Sequence, residues 1–93
     1  MIYAYAKLTV TNPASLDAYR PKAAEALARH GGAVAAASKD ISVLDGAPDM
    51  PDVAAILTFP DKDAAYAWIN DPSLADVHDL RRGAGASDIL VLG

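Results

Sequence analysis

The sequence contains no cysteine among its 93 residues. The chain therefore has no disulfide, no thiol nucleophile and no zinc-thiolate site. Its two histidines, His30 and His78, lie far apart in sequence and show neither a His-x-His nor a His-Glu-x-x-His spacing. Because those spacings are the usual signals of a histidine metal site, we predict no metal and no cofactor.

Positive charge is also scarce. Eight Lys and Arg stand against twelve Asp and Glu, the net charge is −4, and no run of basic residues exceeds two. A general nucleic-acid binder needs a basic stripe to neutralise phosphates, so we expect no nucleic-acid partner. No stretch approaches the roughly 18 apolar residues of a membrane span, and no signal-peptide pattern is present. We therefore expect a soluble cytoplasmic protein with no membrane partner.

Large aromatic side chains are few: the chain has four Tyr, one Phe and one Trp, and Ala provides much of its apolar fraction. A chain of this length is expected to form one domain, residues 1–93, which buries only somewhat over about 60% of its unfolded surface. Small side chains bury little area at roughly 25 cal/mol per Å² of apolar surface. Self-association would be a natural way to add burial.

Hydrophobic periodicity predicts four strands. Residues 2–10 alternate strictly. The even positions form a plainly apolar face, and the odd positions, which include Tyr3 and Tyr5, form an amphipathic, aromatic face. Further strands are predicted at residues 33–38, 53–59 and 88–92. Residues 41–44 are expected to be extended, either as a bent continuation of the second strand or as a short strand of their own.

Two helical regions separate these strands. Helical spacing of apolar residues predicts the first over residues 13–30, with a kink or restart at Pro21, which lacks the N–H that a helix interior needs. The second region is predicted over residues 61–69, with a restart at an Asp-Pro pair that opens a short helix over residues 71–82. Residues 83–87 are expected to form a loop.

The element order β-α-β-β-α-β is typical of the ferredoxin-like α+β fold, with a four-stranded antiparallel sheet and both helical regions on one face. Two helical regions cover only that face. The other face carries Tyr3 and Tyr5, and a chain this small has nothing left to cover it. An isologous homodimer through this sheet face is the simplest cover, and we predict it.

Four segments, in this order and spacing, carry a family resemblance: YAYAKLTVTNPASLDAYRPK, HGG, VLDG and LTFPDKDAAYAWINDPSLADVHDLRRGAGASDILVLG. They resemble, across nearly the whole chain, the small bacterial proteins grouped as domain of unknown function 1330. The matching positions are Pro13, Tyr19, Gly31, Gly32, Phe59, Pro60, Ala65, Trp68, Pro72, Leu80 and Arg81. The resemblance implies a dimeric α/β barrel, an architecture shared with cofactor-free monooxygenases and muconolactone isomerase-like proteins, and it implies no catalytic residue.

The chain departs from the pattern of that family at three positions. Ala33 stands where an Arg often follows the Gly pair, Ile69 stands where Tyr follows Trp, and Leu74 stands where a further Tyr is found. Each departure removes a polar group that could have faced a pocket. The ligand of this chain is therefore not expected to follow from its relatives.

Arg81 is the candidate for binding an anion. It shares a predicted helical face with Leu74, Val77 and His78. An Arg on a packed face usually holds a carboxylate as a bidentate fork. The carboxylate can belong to a ligand, to this chain or to a second subunit, and the sequence leaves these interpretations open. Arg82 is typical of a helix C-terminus, where a cation complements the helix dipole.

His78 is the candidate acid or base, because histidine is the side chain suited to proton transfer near neutrality and because Arg81 lies three residues away. The alternative is a hydrogen-bonded surface or interface histidine. His30 stands at the end of a predicted helix next to Gly31, which is typical of a helix cap.

Four aromatic residues are candidates for ligand contact. Trp68 lies on a stripe of small residues and is expected first to pack in the core. Tyr3 and Tyr5 either orient a ligand in the lumen between two sheets or fill that space. Tyr19 is expected to shape the cavity.

We predict that the protein binds a small molecule in a pocket between the sheet and the second helical region. One alternative is a cofactor-free acid/base enzyme, monooxygenase-like or isomerase-like, acting on a small carbonyl or phenolic compound. In that alternative His78 moves the proton and Arg81 anchors an anionic group. The other alternative is a purely structural dimeric module whose barrel is filled by side chains.

Overall fold

The computed structural model describes residues 1–93. Its strands are β1 (Ile2–Val10), β2 (Ala33–Ser38), β3 (Val53–Phe59) and β4 (Gly85–Leu92). Its helices are α1 (Pro13–Ala28), α2 (Lys62–Asn70) and α3 (Ala75–Gly83), with a 3-10 turn at Pro72–Leu74 between α2 and α3. This order confirms the predicted α+β, ferredoxin-like architecture.

The four strands form one antiparallel sheet in the order β2-β3-β1-β4. β1 lies inside the sheet, where Ala4 is opposite Leu57 of β3 on one side and Val91 of β4 on the other. β2 is an edge strand, and its pairing with β3 contains a bulge between Val34 and Ala36. All six residues of β2 are exposed, so the edge of the sheet next to α1 is thinly covered.

α1 begins as its sequence predicts, because the Asn12 side chain accepts a hydrogen bond from the Ser15 N–H and Pro13 occupies the first turn. Of the kink or restart expected at Pro21, the restart is wrong, since the helix is continuous from Pro13 to Ala28; the kink stays a prediction. Pro21 is exposed, so its ring lies on the solvent side and only one backbone hydrogen bond is lost. Gly31, at φ 70°, ends the helix in the left-handed conformation.

Two connections differ from the sequence prediction. Residues 41–44 form no strand and pair with neither edge of the sheet. The expected loop at residues 83–87 is also absent, since α3 ends at Gly83 and β4 begins at Gly85. The turn is this tight because backbone passes close to backbone there: a Cβ on Gly85 would lie 1.7 Å from the Thr9 carbonyl oxygen.

The core lies between the helices and one face of the sheet. Phe59 and Trp68 are its large aromatics, with ring centroids 5.6 Å apart. A smaller cluster of Leu8, Leu16 and Ala84 lies apart from the main one. The main cluster consists of Ala4, Ala26, Leu27, Leu57, Phe59, Ala65, Trp68 and Leu74.

The other face of the sheet has no helix on it. Tyr5 lies between Ile56 of β3 and Leu90 of β4, while Tyr3 lies beside Leu92. Of these side chains Leu90 is 61% exposed and Leu92 is 59% exposed. The chain therefore presents an apolar row to solvent on this face. None of its helices has the length and hydrophobicity to cross a membrane.

Candidate functional site

A cavity of about 420 Å³ lies between the helices and the helix-facing side of the sheet. It separates the main core cluster from the smaller one, since Leu57 and Trp68 of the first and Leu8 and Leu16 of the second all line it. Thirteen of its nineteen lining residues are hydrophobic. Its volume falls within the range of about 300–1,000 Å³ that is usual for small-molecule pockets.

The sequence creates this space by placing alanine at positions that face inward. Ala6 and Ala55 lie opposite each other on β1 and β3, and Ala23 faces them from α1, so that all three line the cavity. A leucine at such positions would fill part of the volume, as Leu27 and Leu57 do farther along the core. The alanine-rich composition is thus the local cause of the cavity.

Arg81 is the cationic side chain buried at this cavity. It extends from α3, is only 6% exposed and belongs to the cavity lining. Its guanidinium carbon lies 5.2 Å from the centroid of the Trp68 ring and 5.8 Å from that of the Tyr19 ring. α1, α2 and α3 each contribute one of these three side chains, so the tertiary fold brings the predicted residues Arg81, Tyr19 and Trp68 together.

Arg81 has no acidic partner within the chain. The three ion pairs of the molecule join Arg29 to Glu25, His30 to Asp71 and Arg82 to Asp79. Nη1 of Arg81 donates to Nδ1 of His78. Nε is buried without a partner, whereas Nη2 makes no hydrogen bond and remains accessible. Of the interpretations that the sequence left open, an ion pair inside this chain is therefore not formed.

His78 lies behind Arg81 and does not line the cavity. It is 1% exposed, its Nδ1 lies 2.8 Å from Nη1 of Arg81, and its Nε2 lies 2.9 Å from the Trp68 carbonyl oxygen. A guanidinium only donates and a carbonyl only accepts, so these two partners fix the neutral ring with its proton on Nε2.

The electrostatic surroundings favour the same neutral form. Burial lowers the pKa of His78 below its ordinary value, and the charges of Arg81 and Arg82 add to that, against the opposing effects of the Trp68 carbonyl and Asp71. The geometry therefore does not support the predicted role of His78 as an acid or base. Both ring nitrogens are engaged within the protein, and neither meets the cavity.

Tyr3 and Tyr5 lie on the face of the sheet that has no helix, and neither lines this cavity. The structure therefore separates them from Arg81, Tyr19 and Trp68. Their predicted place in a lumen between two sheets concerns a second copy of the chain and stays a prediction.

The mouth of the cavity is lined by residues that sequence reasoning missed. Arg20 and Lys39, both exposed, line it and also border a second, smaller cavity of about 260 Å³. The charged residues lining the main cavity, Lys7, Arg20, Lys39 and Arg81, are all positive, although the chain carries a net charge of −4. Arg20 lies four residues after Leu16 and three before Ala23, so the helical face of those two residues would have included it. Lys39 lies in an irregular segment and carries no such signal.

His30 lies in the turn that ends α1, as predicted, and its N–H donates to the Leu27 carbonyl oxygen at 3.0 Å. Its Nε2 lies 2.9 Å from the carboxylate of Asp71, outside the cavity. Asp71 also accepts hydrogen bonds from the hydroxyl and N–H of Ser73, at 2.7 and 2.9 Å. The Ser73 hydroxyl, followed by His30, lowers the pKa of Asp71 to about 2. This cluster ties the end of α1 to the turn after α2 and is structural. No group of three or more His, Asp or Glu side chains is placed to hold a metal ion.

The chain belongs to the family described as domain of unknown function (DUF1330), whose model matches residues 1–93. RPA0582, a protein of unknown function from Rhodopseudomonas palustris, superimposes with a TM-score of 0.75 at 20% identity, over 98% of this chain and 79% of that one. SnoaB, a cofactor-independent oxygenase from Streptomyces nogalater, superimposes with TM-scores of 0.66 for one structure and 0.69 for a single-site variant, each at 18% identity over 99% of this chain and 90% of that one. These likenesses confirm the fold of the dimeric α/β barrel class. A search of curated protein sequences finds no match to the chain.

Proposed function

We propose that this member of the DUF1330 family binds a small, largely apolar molecule carrying one anionic oxygen group, which Arg81 holds inside the cavity. The observation that carries the proposal is a guanidinium in the cavity lining that is 6% exposed and has no acidic partner in the chain. Arginine is almost never buried without a partner, because taking a charge out of water is expensive. An anionic ligand supplies the missing partner.

The contacts that Arg81 makes within the chain do not replace an acidic partner. The faces of Trp68 and Tyr19 attract the guanidinium, each contributing about 0.5 to 2 kcal/mol according to how far the contact is desolvated. That attraction does not satisfy the remaining N–H groups. Nη2 is the nitrogen left to donate to an anionic oxygen, by a charge-assisted hydrogen bond of about 1.5 to 3 kcal/mol.

The lining indicates the rest of the ligand. Apart from Arg81 and the basic mouth, the walls are mainly aliphatic side chains with two aromatic rings. Such walls favour an aryl or alicyclic body, and the guanidinium favours a carboxylate, enolate or phenolate on it. A cavity of about 420 Å³ leaves room for such a ligand on the helix side of the sheet. The purely structural alternative concerns the space between the sheets of two subunits, on the other face, and stays a prediction.

The test uses a charged probe and its neutral isostere, 2-naphthoate and 2-naphthamide, measured by thermal shift and isothermal titration. We expect the carboxylate to bind at least tenfold more tightly than the amide, since a charge-assisted bond exceeds 1.4 kcal/mol. Arg81→Met should remove this preference, whereas Arg20→Met, at the exposed mouth, should keep most of it. Equal affinities for both probes, an unchanged preference in Arg81→Met, or no binding by aryl carboxylates and phenols at millimolar concentration would overturn the proposal.

A second candidate function is cofactor-free oxygenation of a phenol. It is favoured by the shared fold with the cofactor-independent oxygenase SnoaB together with a buried cation suited to a phenolate. In that reaction the phenolate itself supplies the electrons, so that one phenol and one O₂ give one quinone and one water. An oxygen electrode with naphthols as substrates tests it. Consumption of O₂ that Arg81→Met abolishes would support it, and its absence with bound naphthol would exclude it for that substrate class.

We also propose that the chain forms a homodimer through the uncovered sheet face. The support is the apolar row that includes Tyr3, Ile56, Leu90 and Leu92, all at least 36% exposed. The cavity lies on the opposite side of the sheet, so ligand binding and dimerisation use different surfaces. We place the protein in the cytoplasm, as the sequence predicts, and cell fractionation would check this.

A further inference from the structure

We propose that His78 is a positioning residue, whose Nδ1 lone pair fixes the orientation of the Arg81 guanidinium for the anionic ligand. This inference rests on the proposed function of Arg81. It assigns to His78 a role other than proton transfer, and it makes the hydrogen bond between the two side chains part of the binding site.

Each of the two hydrogen bonds to the His78 ring can run in only one direction. Arg81 Nη1 can only donate, so His78 Nδ1, at 2.8 Å, must accept. The Trp68 carbonyl can only accept, so His78 Nε2, at 2.9 Å, must donate. The ring is thereby held between the backbone of α2 and the side chain of Arg81. Its T-shaped contact with the Trp68 ring, at 4.7 Å between centroids, fixes the ring plane as well.

Without this bond, only the faces of the Tyr19 and Trp68 rings would hold the Arg81 guanidinium in this chain. Such contacts have little directional preference, so the group could reorient about the bonds of its side chain. Nη1 bonded to His78 removes that freedom and leaves Nη2 as the donor available to a ligand. Since a long side chain loses roughly 0.5 to 1.5 kcal/mol of freedom when a ligand immobilises it, prior fixation by His78 improves affinity by roughly three- to tenfold.

A neutral histidine at position 78 suits an anion-binding Arg81 better than a carboxylate would. A carboxylate in the place of His78 would hold Arg81 equally well but would neutralise it and remove its attraction for an anion. A neutral imidazole accepts from the guanidinium and leaves its charge uncompensated. The charged groups around His78 are Arg81 and Arg82 on its own helix and Asp71 before it. No acidic side chain lines the cavity, and none forms an ion pair with Arg81.

A matched pair of variants tests this role. Asn and Leu have nearly the same shape, and both lose the bond to the Trp68 carbonyl. Only Asn offers an oxygen at the place of Nδ1, so His78→Asn keeps an acceptor for Arg81 and His78→Leu does not. We expect His78→Asn to bind 2-naphthoate within about twofold of the wild type, and His78→Leu to bind it roughly three- to tenfold more weakly. Far-UV circular dichroism and Tm establish that both variants are folded at the measuring temperature.

A second readout needs no ligand. In the wild type and in His78→Asn, ¹⁵N NMR should show the Arg81 guanidinium with hindered rotation and separate Nη signals, and in His78→Leu these signals should average. The wild-type His78 ring should show an unprotonated Nδ1. Equal binding and equal guanidinium signals in the Asn and Leu variants would overturn the inference, as would a loss of affinity as large in His78→Asn as in His78→Leu. If Arg81→Met leaves binding unchanged, the proposed function itself fails, and that result is distinguishable from both.

Discussion

Ala23→Leu is the change that tests whether the cavity between α1 and the sheet is present in solution. Ala23 is half-buried and lines the cavity from the middle of α1. Leucine adds three carbon groups, each contributing about 0.8 kcal/mol when fully buried, or about 2.4 kcal/mol as an upper limit. Since the cavity opens to solvent at its mouth, we expect about 1 to 2 kcal/mol of added stability. For a chain of this size that corresponds to a rise in Tm of about 4 to 16 °C.

The matched control is Ala24→Leu, on the next position of the same helix, where the side chain is exposed and does not line the cavity. Ala and Leu are both good helix formers, so the two variants change helix propensity equally. Thermal and urea unfolding should show a gain in Ala23→Leu that Ala24→Leu lacks, together with weaker binding of 2-naphthoate in Ala23→Leu alone. Destabilisation of Ala23→Leu by about 1 to 3 kcal/mol would indicate overpacking and refute the presence of the cavity.

Three further predictions concern pH and assembly. The pKa of His78 is lowered on folding from its ordinary value of 6.5. Its contribution to stability is therefore complete above pH 6.5 and is lost progressively as the pH falls below that value. Urea unfolding between pH 5 and 8 should show this pH dependence of the free energy of unfolding in the wild type and not in His78→Asn. Asp71 has a pKa of about 2 in place of 3.8, so its contribution is complete above pH 3.8 and is lost as the pH falls toward 2; Asp71→Asn should flatten the unfolding profile in that acid window alone. Leu90→Asp places a charge on the uncovered sheet face, where Leu90 is 61% exposed, so sedimentation should show monomers while 2-naphthoate still binds; a wild type that sediments as a folded monomer at micromolar concentration would contradict the proposed dimer.

The sequence predicts the fold well where one local pattern decides the outcome. Strict alternation in residues 2–10 gives β1 and assigns its two faces, and an Asp-Pro pair marks the turn at Pro72–Leu74. It fails where distant parts of the chain decide. Residues 41–44 have the composition of a strand, yet they pair with no strand of the sheet. The direct passage from α3 to β4 depends on the close approach of Gly85 to Thr9, which no local signal reports.

The candidate site divides in the same way. Helical spacing places Arg81 and His78 on one face of α3, and the structure joins them by a hydrogen bond of 2.8 Å. The contact with Tyr19 depends on how α1 crosses α3 and cannot be read from spacing. Whether Arg81 pairs with a carboxylate likewise depends on the tertiary structure. The sequence offers twelve acidic residues, and the fold brings none of them into an ion pair with Arg81.

The cavity lies on one face of the sheet and the proposed dimer surface on the other, so different side chains determine ligand binding and dimerisation. Side chains alternate along β1, so that a substitution at Ala6 alters the cavity while one at Tyr5 alters the proposed dimer face. The volume of the cavity depends on a few alanines, and Arg81 is the one buried residue among the four cationic side chains that line it. Changes at so few positions would alter the ligand without disturbing the sheet or its pairing. The fold that this chain shares with a cofactor-independent oxygenase at low identity therefore does not assign its ligand. The charge at Arg81 and the space beside it are the properties by which that ligand can be sought.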